Sequence, residues 1–180
     1  MGGDRRWKGA DGMKAVIVSD SHGLTAELAE IVNRHRHEAD LFIHCGDSEL
    51  EVGADEIAPF AVVRGNCDFA AFPAERIEEA GGVRLFVTHG HLYGVKTSLL
   101  RLSYRAQETG AHVVCFGHSH LAGAEQMDGR LFINPGSIAL PRGRKEKTYA
   151  VLTIGGGRVH VQFYEVNGQP VSGMERTFSI

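Results

Sequence analysis

Residues 15–23 read Ala-Val-Ile-Val-Ser-Asp-Ser-His-Gly. Four apolar residues run without a break into a polar turn that carries Asp20 and His22. A run this short, without alternation and closed by turn residues, reads as a strand buried on both faces. Behind it Leu24, Leu28, Ile31, Val32 and His35 recur at helical spacing, with Thr25 as the cap and Glu27 in the first turn. The pattern then repeats. Leu41–Ile43 ends in His-Cys-Gly-Asp, Phe60–Val63 in Arg-Gly-Asn-Cys-Asp, and His112–Phe116 in Gly-His-Ser-His. Strands that alternate with helices and are apolar on both faces predict an α/β fold with a parallel or mixed sheet.

Between these runs, Arg76–Glu79 and Arg84–Val87 flank Gly81-Gly82 as a hairpin, and the second of them ends in Thr-His-Gly-His. Val95, Leu99, Leu102 and Ala106 mark one face of a helix closed by Gly110. The last third changes character. The runs Ala122–Met127, Leu131–Ile133, Tyr149–Ile154 and Val159–Tyr164, separated by glycine-rich turns, predict antiparallel β structure. Residues 1–12 are polar and glycine-rich, so they are expected to be a disordered extension, with Trp7 unassigned and Met13 an equally good start. Residues 13–180 are expected to form one domain.

Composition excludes several classes. The 180 residues are 43% hydrophobic and 23% charged, ordinary globular material. A formal charge of −3 gives no general affinity for nucleic acid or an anionic membrane. No apolar run approaches the ~20 residues of a membrane helix, and no signal-peptide pattern opens the chain. Three cysteines form no disulfide framework and point to the cytoplasm. Ten histidines and 23 glycines are the unusual counts.

The histidines gain meaning from position. Five apolar runs end in polar clusters: Asp20-Ser21-His22, Gly46-Asp47, Gly65-Asn66-Cys67-Asp68, His89-Gly90-His91 and Gly117-His118-Ser119-His120. Ligands of α/β sheets bind beyond the carboxyl ends of strands, so these clusters are expected to converge. Carboxylate, imidazole and amide oxygen together suit manganese, iron, nickel or zinc. Seven such donors (Asp20, His22, Asp47, Asn66, His89, His118 and His120) are too many for one tetrahedral zinc, whereas two ions sharing a carboxylate would use them all. Two dications ~4 Å apart repel by roughly 17 kcal/mol at an effective dielectric of about 20, which is why aspartates belong among the donors.

In order, Asp-x-His, Gly-Asp, Gly-Asn-x-Asp, His and Gly-His-x-His resemble the signature of the calcineurin-like metallophosphoesterases, in particular the small bacterial and archaeal YfcE-type members. Asn-Pro-Gly-Ser at 134–137 resembles a later motif of that family. The resemblance covers nearly everything after Met13. It implies two packed mixed β-sheets flanked by helices, and a dinuclear site. One ion would be held by Asp20, His22, Asp47 and His120, the other by Asp47, Asn66, His89 and His118. The resemblance does not fix the metal; manganese is expected first, ahead of iron, nickel, zinc and cobalt. The resemblance also implies hydrolysis of small phosphoesters, foremost phosphodiesters, by a hydroxide bridging the ions, with Asn66 helping to hold the phosphate, and it implies self-association. The rival reading is a metal-binding scaffold of weak or no turnover, similar to retromer's phosphoesterase-like subunit.

One position departs from larger relatives of the resembled family. Where many carry a histidine that acts on the leaving group, this sequence has Cys67, which implies a preference for esters with good leaving groups. His91 is the other candidate acid. The remaining residues have plainer readings. His44 is expected on or under its strand, and His35, His37, His112 and His160 at the surface or in packing. Cys45 and Cys115 are expected to be core fillers. Arg142, Arg144, Lys145 and Lys147 read as a solvated loop, or as one that faces an anionic substrate.

Overall fold

A computed structural model describes residues 12–180. The expectations for the N-terminal segment, Trp7 included, therefore lie outside the described residues apart from Gly12. In sequence order the elements are β1 (Met13–Val18), α1 (Ala26–His35), β2 (Leu41–His44), β3 (Ala61–Val62), β4 (Glu75–Ala80) and β5 (Val83–Thr88). A 3-10 turn at His91–Tyr93 precedes α2 (Leu100–Thr109) and β6 (Val113–Cys115). β7 (Gly123–Met127), β8 (Arg130–Asn134), β9 (Thr148–Gly155), β10 (Arg158–Glu165) and β11 (Pro170–Ser179) complete the fold.

The strands form two mixed sheets, ordered β11-β10-β9-β1-β2-β3 and β4-β5-β6-β8-β7. β1, β2 and β3 are parallel, as are β5, β6 and β8, and the flanking strands add antiparallel. Strand periodicity explains the layers, because successive side chains face opposite sides. Ala15 and Ile17 of β1 join Leu85, Val87, Val113, Cys115, Leu131 and Ile133 in the core between the sheets. Val16 and Val18 instead face Leu28 and Ile31 of α1. Phe86, Val114 and Phe132 face Leu102 and Ala106 of α2 on the far side. The result is the expected αββα sandwich.

Strand register sets the position of the site. Val18 lies opposite His44, and His44 opposite Val62. In the other sheet Val87 is level with Cys115, and Cys115 with Ile133. All six parallel strands thus release their polar loops at the same end of the sandwich.

Several expectations need correction. The third run pairs over only two residues, Ala61–Val62. α2 begins at Leu100, so Val95 precedes it, though Val95 and Leu99 still pack under the helix. The Ser98 hydroxyl accepts the Leu100 N–H, an alternative to an earlier helical turn. Thr25 stands at the start of α1, but its hydroxyl makes no capping bond. The last third is antiparallel as expected, but it is divided between the sheets: β7 pairs with β8, which also runs parallel to β6, while β9–β11 extend the other sheet. β11 escapes the sequence pattern altogether. Only Val171 and Phe178 of its ten residues are buried, as suits an edge strand whose outer face is polar. No helix among the described residues is long and apolar enough to cross a membrane.

Candidate metal centre

The pairing of β1 with β2 continues past both strand ends. Cys45 N–H donates to Val18 O at 2.8 Å, Asp20 N–H to Gly46 O at 3.0 Å, His22 N–H to Asp47 O at 2.9 Å and Gly23 N–H to Ser48 O at 2.8 Å. This zipped pair of loops holds Asp20, His22 and Asp47 together. The second sheet brings its own loops to Asp20. The His118 N–H donates to Asp20 Oδ2 at 3.1 Å, and the Ser137 hydroxyl donates to the Asp20 carbonyl at 2.7 Å. Ser19 Oγ donates to the same Oδ2 at 2.5 Å.

Asp20 Oδ1 is left over. His120 Nε2 lies 3.1 Å away, and His22 and His89 Nε2 each 3.8 Å away. None of these approaches has hydrogen-bond geometry, and Oδ1 is buried without a partner, as is His22 Nε2. Buried polar atoms are nearly always satisfied, so a group of several such atoms aimed at one point fits an ion.

His89 makes the same case by polarity. Its Nδ1 lies 2.8 Å from the Cys45 carbonyl, which can only accept, so Nδ1 carries the hydrogen. Nε2 then faces three oxygens: Asn66 Oδ1 at 3.1 Å, Asp47 Oδ2 at 3.2 Å and Asp20 Oδ1 at 3.8 Å. In a neutral imidazole that nitrogen is a lone pair and would repel them. Only a second proton or a cation makes the arrangement favourable. Burial opposes a charge on His89, but the Asp47 and Asp20 carboxylates outweigh it and raise its pKa. His120 is anchored alike, through Nδ1 to the Leu140 carbonyl at 2.6 Å.

Three groups of potential ligand atoms lie within 4.8 Å of one another among the described residues: Asp20–His22–His120, Asp20–Asp47–His89 and His22–Asp47–Cys67. Asp47 thus sits beside both halves of the cluster. His118 belongs to none of the three; its ring lies 5.1 Å from that of His89. Burial first, then the charges of His89 and Lys96, lower its pKa to about 4. His91 lies on the 3-10 turn with its ring 5.4 Å from His89, and its Nδ1 is buried without a partner. Cys67 donates its backbone N–H to Asp47 Oδ1 at 2.8 Å, while burial and the Asp47 charge raise its thiol pKa.

Two glycines are required by close approach. A Cβ on Gly65 would collide with the Asp47 carboxylate, and one on Gly117 with Ser19 Oγ and the Asp20 carboxylate. The residues flanking the candidate ligands were harder to read from sequence. Asp68 is buried, and its Oδ2 accepts N–H bonds from Asp47 at 2.8 Å and Gly65 at 2.7 Å. Its Oδ1 accepts that of Glu49 at 2.8 Å. His44 Nδ1 accepts the Gly46 N–H at 3.1 Å and its Nε2 lies 2.8 Å from Ser21 Oγ; burial lowers its pKa to about 4. Asn134 ties Gly117 and Ser119 to β8. Cys45 and Cys115 fill the core as expected, and burial raises both thiols, Cys115 to about 12.

Fold and site together define a phosphoesterase-type metalloprotein. Residues 13–157 match the calcineurin-like phosphoesterase superfamily domain, and the chain belongs to that superfamily. It is 50% identical to the probable metallophosphoesterase YsnB of Bacillus subtilis over 169 residues, 93% of this chain and 100% of that one. The phosphodiesterase YfcE of Escherichia coli K12 is 35% identical over 102 residues, half of each chain. A solved structure from Streptococcus pneumoniae TIGR4, described as a predicted phosphoesterase, superposes with a TM-score of 0.89 at 34% identity, covering 93% of this chain and 98% of that one. Vps29 of Entamoeba histolytica, solved with zinc, shares the fold at a TM-score of 0.70 and 17% identity over 93% and 98% of the two chains.

Two outcomes are expected. Because His89 gains proton affinity on folding, an ion at Nε2 must displace a proton. Ion affinity should therefore fall as pH drops through the raised His89 pKa and level off above it, with proton release on binding, both measurable by calorimetry across pH 6–8 in several buffers. Asp68→Asn exchanges one accepting oxygen for an NH2 group and leaves a buried N–H unpaired. It should weaken ion binding by about 10–100-fold, read by competition with a chelating dye, while the protein stays folded.

Proposed function

We propose that residues 13–180 act as one domain, a divalent-metal-dependent phosphoesterase that hydrolyses phosphodiesters in the cytoplasm. Asp20, His22, Asp47 and His120 would hold one ion, and Asp47, Asn66, His89 and His118 a second, with manganese first among iron, nickel, zinc and cobalt. The single observation that carries this reading is His89 Nε2, faced by three oxygens that only a proton or a cation there can satisfy, next to the unpartnered Oδ1 of Asp20. When bound, such ions supply a water acidic enough to ionise near neutral pH and positive charge for the phosphoryl oxygens.

The protein's own groups do the rest. The Cys45 and Leu140 carbonyls fix the rings of His89 and His120 so that each Nε2 faces inward. Asp20 and Asp47 stay ionised at neutral pH. Burial would raise their pKa values, but the facing imidazoles and donors bring both below the ordinary range. Asn66 turns its carbonyl oxygen to His89, leaving its NH2 toward Cys67 and any phosphoryl oxygen beside it. His91 would face the leaving oxygen; burial and the charge of His89 lower its pKa and disfavour the imidazolium that full proton transfer needs, so its neutral ring would offer the leaving oxygen a hydrogen bond. Cys67 keeps its proton and is at best a weak donor.

The likeness to Vps29 favours a second reading, a metal-binding scaffold. Metal analysis of purified protein paired with hydrolysis of bis(p-nitrophenyl) phosphate in added manganese separates the two. The enzyme reading expects turnover of the diester, with Asp47→Asn losing both metal and activity. Stoichiometric metal without turnover of any phosphoester would establish the scaffold reading instead. Cys67→His should raise rates on esters of poor leaving groups relative to good ones. An unchanged ratio would remove Cys67 from leaving-group chemistry.

A further inference from the structure

We propose that a cleft between β7–β8 and the segment ahead of α2 binds an uncharged aromatic molecule that carries one hydrogen-bond acceptor. The cleft lies outside the candidate metal cluster, and its occupant does not depend on the phosphoesterase reading.

The cleft has a volume of about 290 Å³. Val95, Leu99, Phe116 and Phe132 give it apolar walls, and half-exposed Leu121 also lines it. An apolar pocket with few polar groups is the usual form of a small-molecule site. Two features separate this cleft from a gap in packing. The first is Gly123. It lies opposite Asn134 in the β7–β8 pair, two positions before Glu125 opposite Phe132, so a side chain there would share the face of Phe132. Phe132 packs toward α2, and Gly123 itself lines the cleft. A Cβ at Gly123 would meet nothing within 4 Å, and its φ lies outside the left-handed region. Neither the backbone nor the packing of the chain requires glycine at this position. A glycine inside a strand weakens it and often marks where a ligand approaches closely.

The second is Ser119, which stands between His118 and His120 in the sequence and is only 8% exposed. Its Oγ accepts N–H bonds from Asn134 Nδ2 at 3.0 Å and from the Leu121 backbone at 3.4 Å. The hydroxyl hydrogen has no acceptor among the described residues, and Ser119 lines the cleft. Asn134 offers nothing more: its Nδ2 is shared between Ser119 and the Gly117 carbonyl, and its Oδ1 accepts the Gly136 N–H. A buried hydroxyl beside apolar walls is costly until its hydrogen is bonded, and an acceptor on the occupant would bond it. The same surroundings select against charge. Apolar walls disfavour any ion, and exposed Glu125, which also lines the cleft, repels an anion. The Phe116 and Phe132 rings favour a flat aromatic occupant.

The test titrates acetophenone, cumene and benzoate into full-length protein in the presence of zinc, followed by backbone amide NMR shifts. The Ser119, Leu121 and Gly123 signals should move and saturate together with acetophenone, with a Kd that is millimolar or tighter. Cumene, of similar shape without the acceptor, should bind about three- to tenfold more weakly, and benzoate more weakly still. Ser119→Ala should remove the difference between acetophenone and cumene. Gly123→Phe, which fills the cleft, should abolish binding of both without lowering the melting temperature. Absence of saturable shifts at these signals, equal affinity for acetophenone and cumene in the unaltered protein, a preference that survives Ser119→Ala, or undiminished binding by Gly123→Phe overturns the inference. Self-association that Gly123→Phe abolishes, without acetophenone binding, gives the cleft to a second copy of the chain and overturns it too.

Discussion

Asp20 is where the two sheets meet. Its Oδ2 accepts the His118 N–H and its carbonyl accepts the Ser137 hydroxyl, both from loops of the second sheet, while its own N–H stays with Gly46 in the first. These bonds hold an unfavourable backbone. Asp20, His22, Asp47, His118 and His120 have φ between 44° and 69°, a left-handed conformation that costs a non-glycine residue roughly 1–2 kcal/mol. Five such residues in one cluster persist only if the surroundings impose them. The zipped β1–β2 loops, the Asp68 carboxylate and the Asn134–Ser137 brace are the surroundings that do so. The strain aims side chains inward that an ordinary turn would send to solvent.

The sandwich makes this possible by being level. Six parallel strands end at one height because their registers are locked, and the inter-sheet core of Ile17, Val87, Cys115 and Ile133 prevents one sheet from sliding past the other. A one-residue slip in β1 would move Ile17 out of that core and carry Asp20 away from His118. Packing far from the cluster is thus what sets distances of 3–4 Å within it.

The sequence exposed the parts of this arrangement that are local. Short apolar runs, the helical spacing after Leu24 and the polar tails of five strands all lie within a few residues, so the α/β class and the candidate donors could be read directly. The rest depends on contacts between distant residues. Asp68 clamps Asp47 across 21 positions and Ser137 reaches Asp20 across 117, and neither residue type announces such a role. β11 was illegible for another reason: an edge strand that buries two of ten side chains has no pattern to detect.

The same limit separates one histidine from another. His44 and His89 are both fully buried in the same region, and composition treats them alike. Their backbone partners do not. Gly46 offers His44 an N–H, so Nδ1 must accept and Nε2 carries the hydrogen toward Ser21. Cys45 offers His89 a carbonyl, so Nδ1 must donate and Nε2 is left as a lone pair among oxygens. Burial lowers the pKa of His44 against the weaker pull of the Asp20, Asp68 and Asp47 charges, whereas at His89 the Asp47 and Asp20 carboxylates outweigh burial and raise it. One imidazole is thereby fixed as a neutral strut and the other as a candidate ligand. What divides them is whether a backbone N–H or a backbone carbonyl happens to face Nδ1, and only the folded loops decide that.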